Sequence, residues 1–428
     1  MFAETPEEKK IFPYKYETVI LENGLKVIVI PMDSPGLVSY YSVVRTGSRD
    51  EYEPGKSGFA HFFEHMMFRG TERFPGSAYD SLITGIGADA NAYTSDDLTV
   101  YHLNFAKEDL ALVMDLESDR FRNLKYSKEQ FQTESGAVYG EYRKGRTSPW
   151  SVAFEAMNDM AFDVHTYKHT TIGFEADIKD MPNQYDYSIS FYKRYYRPEN
   201  VVITVVGDVT KSEVETLARK FYTEWKTGYV KPDIKAEPKQ NASREKVVEY
   251  EGRTLPLIMV GYKVDAFSPE NKEYVSLSAF SNLAFGETSE LYKKLVLDEQ
   301  KVQFVSADAP MNRDPYLFTV YAMVNDEKDI EYVREEIAKT IESFKTISVD
   351  AGKLENFKKR NRYGFLMALD SPDAVASILP QFITLSGGID VIDSYYTAME
   401  QITPETLKQS VQHYFVPSNK NTIVLKGR

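Results

Sequence analysis

Two histidines four positions apart, with a glutamate directly before the second, are the residues best suited to chemistry in this sequence: His61-Phe62-Phe63-Glu64-His65. On an α-helix, residues i and i+4 lie on one face, so both imidazoles can reach the same ion. A zinc ion with three protein ligands keeps a fourth position for water and lowers the pKa of that water to about 7. Glu64 lies beside this face and can act as a general base. The spacing therefore predicts a metal-dependent hydrolase with His61 and His65 as ligands.

The third ligand must come from elsewhere in the chain. The stretch 131–141 reads as a helix and carries Glu134 and Glu141, two turns apart on one face. Either carboxylate could be the ligand, and the other could then orient a ligand or the water. Because a helical glutamate is more often a solvated surface charge, the pattern alone leaves this assignment open.

A structural reading of the motif is the alternative, in which two buried histidines and an ion-paired glutamate belong to an ordinary core helix. The flanking residues are Phe59, Phe62, Phe63, Met66 and Met67. Burying two imidazoles and a carboxylate among them without a ligand would be costly, which favours the metal site.

The remaining histidines are better explained by structure. His165 and His169 have the same spacing, but no glutamate lies between them and the region reads as a loop. His102 lies in an alternating strand, and His413 precedes the last strand of the chain. We expect core or surface roles for these residues.

The elements that position the motif can be read from hydrophobic periodicity. Residues 57–70 read as a buried helix with Ser57 as N-cap and Gly70 as its stop. An Asn23-Gly24 turn predicts a hairpin over residues 17–31. Further strands are predicted over 37–45, 99–105 and 201–206, and helices over 107–121 and 128–144.

The chain divides into two similar halves. A charged, proline-containing segment near residues 226–244 reads as a linker. Tyr195-Tyr196-Arg197-Pro198 before one apolar strand is matched by Tyr414-Phe415-Val416-Pro417 before another. We therefore predict an α+β fold, a duplicated, mostly antiparallel sheet with helices packed on it. The predicted units are a catalytic domain over 1–228, a linker over 229–244 and a second domain without a metal site over 245–428.

Composition excludes several classes of function. The chain of 428 residues has 42% hydrophobic and 27% charged residues, typical of a globular protein. A net charge of −13 disfavours a nucleic-acid partner, and the sequence has no cysteine, which excludes thiol catalysis and cysteine metal sites. No apolar run is long enough to span a bilayer. The first residues lack an apolar signal core, and we expect a periplasmic chain with its export signal trimmed rather than a cytoplasmic one.

The residues around the motif resemble the pitrilysin-type (inverzincin, M16) metallopeptidases, in particular the small single-shell bacterial members and the catalytic subunit of the mitochondrial processing peptidase. The matching stretches are Gly47–Glu51, Gly58–Thr71, Gly87–Ser95, Glu134–Arg143 and His165–Gly173. The resemblance covers nearly the whole chain. It implies two similar α+β domains that form half of a clam-shell chamber.

The resemblance also assigns roles to individual residues. It implies one Zn²⁺ per chain held by His61, His65 and Glu141, with Glu64 as the base. Glu134 matches the acidic residue that supports the site without binding the metal. Asn91 and Ala92 match an edge strand that pairs with the backbone of a peptide substrate.

One departure from the family pattern concerns the partner subunit. Active members receive, from a second chain or half, an arginine and a tyrosine seven positions later that bind the substrate carbonyl. Val296 and Gln303 stand at the matching positions here, while Arg313 and Tyr316 lie nearby at the wrong spacing. The implied partner is therefore a homologous zinc-free subunit in a heterodimer, rather than a second copy of this chain.

We accordingly expect a zinc endopeptidase subunit that acts on peptides or unfolded segments. The alternatives are a specific processing peptidase and a structural or peptide-binding subunit in which catalysis has lapsed. A zinc hydrolase acting on other bonds is disfavoured by the matched substrate strand.

Overall fold

The computed structural model describes residues 10–428. The residues on which the export-signal expectation rests lie outside this range. The strands are β1 Glu17–Ile20, β2 Lys26–Pro31, β3 Leu37–Val44, β4 Asp89–Thr94, β5 Thr99–Ala106, β6 Val201–Gly207, β7 Arg244–Tyr250, β8 Leu257–Val264, β9 Val302–Asp308, β10 Tyr316–Val324 and β11 Lys420–Gly427.

Helices connect and cover these strands. They are α1 Phe59–Met66, α2 Gly76–Gly85, α3 Leu110–Asn123, α4 Lys128–Gly145, α5 Pro149–Ala161, α6 Glu175–Asp180, α7 Tyr185–Tyr195, α8 Lys211–Tyr222, α9 Lys272–Phe285, α10 Glu290–Tyr292, α11 Ile330–Thr346, α12 Ala351–Met367, α13 Pro372–Ser386, α14 Val391–Glu400 and α15 Pro404–Tyr414. A π-helical turn, Lys293–Asp298, continues α10.

The two sheets have the same topology. The first has the order β1-β2-β6-β3-β5-β4 and the second β7-β11-β8-β10-β9. In each sheet one pair is parallel, β2 with β6 and β7 with β11, and the other pairs are antiparallel. Without β1, the strands of one sheet correspond in order and direction to those of the other. The predicted α+β fold with a duplicated, mostly antiparallel sheet is confirmed.

Each half covers one sheet face of the other half. Helix α13, from the second half, packs on β3 and β6, while α5, from the first half, packs on β7, β8 and β11. The first sheet is thus buried on both faces, by its own helices on one side and by the second half on the other. This explains why β6 reads as a nearly continuous apolar run, a pattern that sequence alone cannot assign to a particular neighbour.

The segment from 223 to 243 contains neither helix nor strand, and the exact domain boundaries over 1–228, 229–244 and 245–428 stay a prediction. Within residues 10–428 no single helix is long and apolar enough to cross a membrane. One pair, α13 with α14, passes the same test only when joined across a bend of 93°.

The predicted cap of the motif helix is wrong. The residue before α1 is Gly58, in the left-handed region with φ of 92°, and it provides no side-chain cap. Ser57 instead donates its hydroxyl to Asp177 and accepts a hydrogen bond from the backbone N–H of Phe174. Helix α1 ends at Met66, and a 3₁₀ turn continues to Arg69 before Gly70.

Candidate metal centre

Aromatic packing fixes the position of α1 against its neighbours. Phe59, Phe62 and Phe63 are fully buried. The ring of Phe62 lies 5.0 Å from that of Phe131 on α4, and the ring of Phe63 stacks at 5.3 Å on Phe191 of α7. The apolar face of α1 is therefore anchored on two helices, and the opposite face presents both histidines.

His61, His65 and Glu141 converge on one point. The two Nε2 atoms of His61 and His65 are 3.3 Å apart. The Glu141 oxygens lie 3.5 Å from His61 Nε2 and 3.6 Å from His65 Nε2. Among residues 10–428, this is the only group of three histidine or carboxylate side chains close enough to hold one metal ion. Of the two carboxylates that sequence periodicity left open, Glu141 is the one that reaches both imidazoles.

These separations fit a zinc ion. Zinc binds nitrogen and oxygen at about 2.0–2.2 Å in tetrahedral geometry, which puts neighbouring ligand atoms about 3.3–3.6 Å apart. The donor set is two imidazoles and a carboxylate, which are the ligands that zinc accepts in hydrolases. The Glu141 side chain is 47% exposed, so the site is open on that side.

Glu134 lies behind His65. Its carboxylate accepts from Nδ1 of His65 at 2.9 Å and from Nε of Arg69 at 2.6 Å, and the side chain is only 4% exposed. Burial favours a raised pKa for Glu134, but the hydrogen bonds from His65 and Arg69 outweigh it and lower the pKa. The bond to Nδ1 leaves Nε2 of His65 directed at the metal position, as in carboxylate–histidine–zinc arrangements.

The two imidazoles have different electrostatic surroundings. Burial and the neighbouring His65 lower the pKa of His61 to about 4, so this ring is neutral at pH 7 and its nitrogen is available to a metal. The hydrogen bond with Glu134 raises the pKa of His65, against the effect of burial. Metal binding at Nε2 would therefore compete with protonation of His65.

Glu64 is connected to the strand next to the site. Its Oε2 accepts a hydrogen bond of 2.6 Å from the Thr94 hydroxyl at the end of β4. Burial raises the pKa of Glu64, while the bond from Thr94 opposes that shift. A raised pKa brings a carboxylate closer to the range useful for proton transfer near neutral pH.

Asn91 and Ala92 lie on β4, which is the last strand of its sheet and pairs only with β5. Its outer backbone groups are therefore open to an added strand. Thr94, on the same strand, contacts Glu64, so a peptide paired with β4 would lie beside the three converging side chains.

The segment expected to hold an arginine and a tyrosine provides neither. Val296, in the π-helical turn, packs against the core of the second half, and Gln303 is exposed on β9. Arg313 donates to the carbonyl oxygen of Arg45, and the Tyr316 hydroxyl donates to Asn158. Both nearby candidates are thus engaged within the chain.

The other histidines have partners away from the metal group. His165 Nε2 lies 3.0 Å from Asp314, and His413 Nδ1 lies 2.9 Å from Glu273. His102 stacks on Tyr41 with ring centroids 4.8 Å apart. His169 is buried, with Nδ1 3.1 Å from the carbonyl oxygen of Thr170.

Arg69 and Thr94 also contribute to the site, although the sequence motif did not indicate them. Arg69 is four residues beyond His65, so helical spacing could have placed it on the same side. Thr94 lies in the stretch already matched to the substrate strand, but only the packing of α1 on β4 shows that it contacts Glu64.

Two repeated α+β domains, with His61 and His65 on α1 meeting Glu141 on α4 beside an edge strand, are the arrangement expected of an inverzincin peptidase. Family models match most of the chain: residues 27–174 match the insulinase model of peptidase family M16, and residues 184–361 match the model described as the M16 inactive domain. The chain belongs to peptidase family M16, as the resemblance implied.

Relatives of known name support the same family. The chain is 29% identical to the zinc protease PqqE of Helicobacter pylori, over 96% of this chain and 93% of that protein. The crystal structure of a protease from Helicobacter pylori superposes with a TM-score of 0.91 at 28% identity, covering 96% and 99% of the two chains. The periplasmic protease PqqL from Escherichia coli superposes with a TM-score of 0.79 at 20% identity, and the match covers 96% of this chain but 48% of that one.

Proposed function

We propose that this chain is the zinc-binding subunit of an endopeptidase, with one Zn²⁺ held by His61, His65 and Glu141. The observation that carries the proposal is the convergence of three ligand atoms at 3.3–3.6 Å from one another. That separation matches the edge of a zinc tetrahedron and leaves the exposed side for water and substrate.

The residues around the ion have distinct tasks. Zinc, when bound, supplies Lewis-acid chemistry by polarising a carbonyl oxygen and acidifying a water. Glu64 accepts the proton of the attacking water and passes it to the departing amine. Glu134 holds His65 in the tautomer that directs Nε2 to the metal. The backbone of β4 at Asn91 and Ala92 binds an extended peptide as an added strand.

Binding by strand addition sets the substrate class. An added strand must be extended and free of other backbone partners, so peptides and unfolded segments qualify, whereas folded proteins do not. The open edge of β4 and the contact from Thr94 to Glu64 support this mode of binding, with the added strand next to the base.

We further infer that a homologous, zinc-free subunit completes the site in a heterodimer. Val296 and Gln303 cannot donate to a developing oxyanion as a guanidinium and a phenol would. Arg313 and Tyr316 are held in other contacts. The match to only 48% of PqqL indicates that a shell of this size forms about half of a larger assembly in one relative. The description of PqqL as periplasmic supports a periplasmic location for this chain.

Two alternatives remain as outcomes of the test. A processing peptidase would cleave few members of a peptide library, whereas a general peptidase would cleave many. A lapsed subunit would use the same strand to bind peptides without cutting them, which the missing arginine and tyrosine favour. The match to the model described as inactive covers residues 184–361, which include the end of the first half and part of the second, and none of His61, His65 and Glu141.

The decisive experiment compares wild type, Glu64→Gln and Glu129→Gln, each alone and mixed with a zinc-free homologous subunit that carries the arginine–tyrosine pair. Zinc content and cleavage of a quenched fluorescent peptide library are measured. Glu129 is an exposed residue on the same helix as Glu134, which makes it a matched control.

We expect all three proteins to bind one zinc, and only wild type and Glu129→Gln to cleave peptides, with activity rising at least tenfold when the partner is added. Cleavage by Glu64→Gln at the wild-type rate would remove Glu64 from its role. A zinc-loaded wild type that cleaves nothing, with or without the partner, would establish the lapsed subunit instead. If the isolated chain is fully active, only the heterodimer inference is wrong, and the zinc site stands.

A further inference from the structure

Glu51 is a buried carboxylate at the beginning of the metal-binding helix. Its side chain is fully buried, and its two oxygens accept hydrogen bonds from the backbone N–H groups of Gly58 at 2.7 Å and Ala60 at 2.6 Å. Within residues 10–428, no lysine or arginine lies within ion-pairing distance of it; His169 does, with Nδ1 3.8 Å from Glu51 Oε2, but burial lowers the pKa of that imidazole. The site described above does not use Glu51.

The N–H groups of Gly58 and Ala60 lie at the start of helix α1. The first N–H groups of an α-helix have no partner within the helix, and a side chain of the N-cap residue usually binds one of them. Here Gly58 has no side chain to offer, and Glu51, seven residues earlier in the sequence, takes that place. Ala60 directly precedes His61, so the bond to Glu51 fixes the backbone next to the first ligand.

A loop from the same domain holds the helix start from the other side. Residues 169–174 approach so closely that a Cβ on Gly58 would lie 2.6 Å from the carbonyl oxygen of Ile172. Ser57 donates to Asp177 at 2.6 Å, and its hydroxyl accepts from the N–H of Phe174 at 2.8 Å. We call Glu51, Ser57, Asp177 and residues 169–174 the helix-start clamp.

A purely structural role would not require a charge here. Burying a carboxylate without a lysine or arginine beside it costs several kcal/mol, and a neutral acceptor side chain at the helix start would hold an ordinary helix at lower cost. Burial accordingly raises the pKa of Glu51, against the two backbone hydrogen bonds. The cost of the buried Glu51 carboxylate is explained if the position of helix α1 must be accurate.

We propose that Glu51 is a positioning residue for the metal-binding helix: through the helix-start clamp it fixes the first turn of α1 and hence the place of His61 relative to His65 and Glu141. The proposal rests on the proposed zinc site. Helix α1 has only eight residues, so a shift at its first turn moves His61 directly. Productive metal geometry tolerates displacements of only about 0.5 Å.

The test uses Glu51→Gln and Ser57→Ala in the full chain, with Glu117→Gln as the matched control. Glutamine keeps the size of Glu51 but has one acceptor oxygen, so one N–H loses its partner. Glu117 is also fully buried and pairs with Arg120 at 2.7 Å, away from the clamp. Three quantities are measured: zinc affinity by competition with a chromophoric chelator, the visible spectrum of the Co²⁺-substituted protein, and hydrogen exchange of residues 59–66.

We expect about tenfold weaker zinc binding in Glu51→Gln, an altered Co²⁺ spectrum and faster exchange in residues 59–66, because contacts that orient ligands typically contribute 10- to 100-fold in metal affinity. Ser57→Ala should shift all three in the same direction by a smaller factor. Glu117→Gln should lower the melting temperature without changing zinc affinity or the spectrum. In the assembled enzyme, kcat should fall while KM stays unchanged, since β4 is untouched.

The outcomes separate the two proposals. A wild-type chain that binds no zinc overturns the proposed function. If wild type binds zinc and a folded Glu51→Gln retains its affinity, its Co²⁺ spectrum and its exchange rates, the clamp proposal alone is wrong. Should Glu51→Gln fail to fold, Ser57→Ala decides, and wild-type zinc affinity in that variant overturns the clamp.

Discussion

Removing the carboxylate of Glu134 is the sharpest test of how the site is held together, because Glu134 contacts a ligand without touching the metal position. The carboxylate accepts one hydrogen bond from His65 Nδ1 at 2.9 Å and one from Arg69 at 2.6 Å. Glu134→Gln retains one acceptor oxygen, and Glu134→Ala retains none. The two variants therefore remove one or both acceptor oxygens while all three expected ligands stay in place.

The size of the effect follows from these contacts. Partners that orient a metal-binding histidine are worth about 10- to 100-fold in affinity, or about 1.4–2.7 kcal/mol. In Glu134→Gln the amide oxygen can still accept from His65, because Arg69 is half-exposed and can turn to solvent. We therefore expect Glu134→Gln to bind zinc about tenfold more weakly than wild type. In Glu134→Ala nothing fixes the tautomer of His65, and Arg69 also loses its partner. We therefore expect zinc affinity to fall about 100-fold.

Zinc affinity at pH 7 is measured by chelator competition, with circular dichroism to verify that each variant is folded. Glu129→Gln, an exposed change on the same helix, should bind zinc as wild type does. Glu141→Gln removes a ligand and should lose more affinity than either Glu134 variant. Wild-type affinity in a folded Glu134→Ala would refute the claim that Glu134 orients His65, and an equal loss in Glu129→Gln would show that the effect is not local.

Two further predictions concern stability. Glu237 accepts from Lys263 and from the backbone N–H groups of residues 163–165, and although burial opposes it, these bonds lower its pKa from 4.5 to about 2. The ionised form thus stabilises the fold by up to about 3 kcal/mol above pH 4.5, and this contribution is lost progressively as the pH falls to about 2 and below. With these two pKa values roughly 40% of it still remains at pH 3. Urea unfolding should therefore show that Glu237→Gln costs up to about 3 kcal/mol at pH 7 and less than half of that at pH 3, and equal costs at both would contradict the assignment. In Gly47→Ala, the new Cβ would lie 2.3 Å from the carbonyl oxygen of Ser95 and 2.5 Å from that of Asp96, so we expect a loss of about 2 kcal/mol or more, and an unchanged melting temperature would show that the backbone can yield there.

Local patterns were sufficient to predict most of the fold near the motif. The Asn23-Gly24 turn joins two antiparallel strands, and the predicted helices over 107–121 and 128–144 correspond to α3 and α4 within a few residues. The histidine spacing put both imidazoles on one face because helical geometry is local. These features depend on residues a few positions apart, where periodicity carries the information.

What could not be predicted depends on contacts between distant parts of the chain. The start of α1 looked like an ordinary serine cap, but Glu51 occupies that role and Ser57 turns to Asp177. Periodicity could not choose between Glu134 and Glu141, because both lie on the face of α4 that meets α1 and only the distances to the imidazoles separate them. Likewise, no local signal indicates that α5 and α13 each cover the sheet of the opposite half.

That exchange of helices bears on how a substrate reaches the metal. Separating the halves would expose the apolar faces under α5 and α13, and it would also break the ion pairs from Asp314 to Arg49 and from Lys263 to the linker residue Glu237. Buried apolar surface contributes about 25 cal/mol per Å², so parting the halves is far costlier than separating a weakly held partner. The two halves therefore act as one shell. The His-His-Glu group is open on the side of Glu141, beside the edge strand β4, so a substrate can reach it there without separation of the halves.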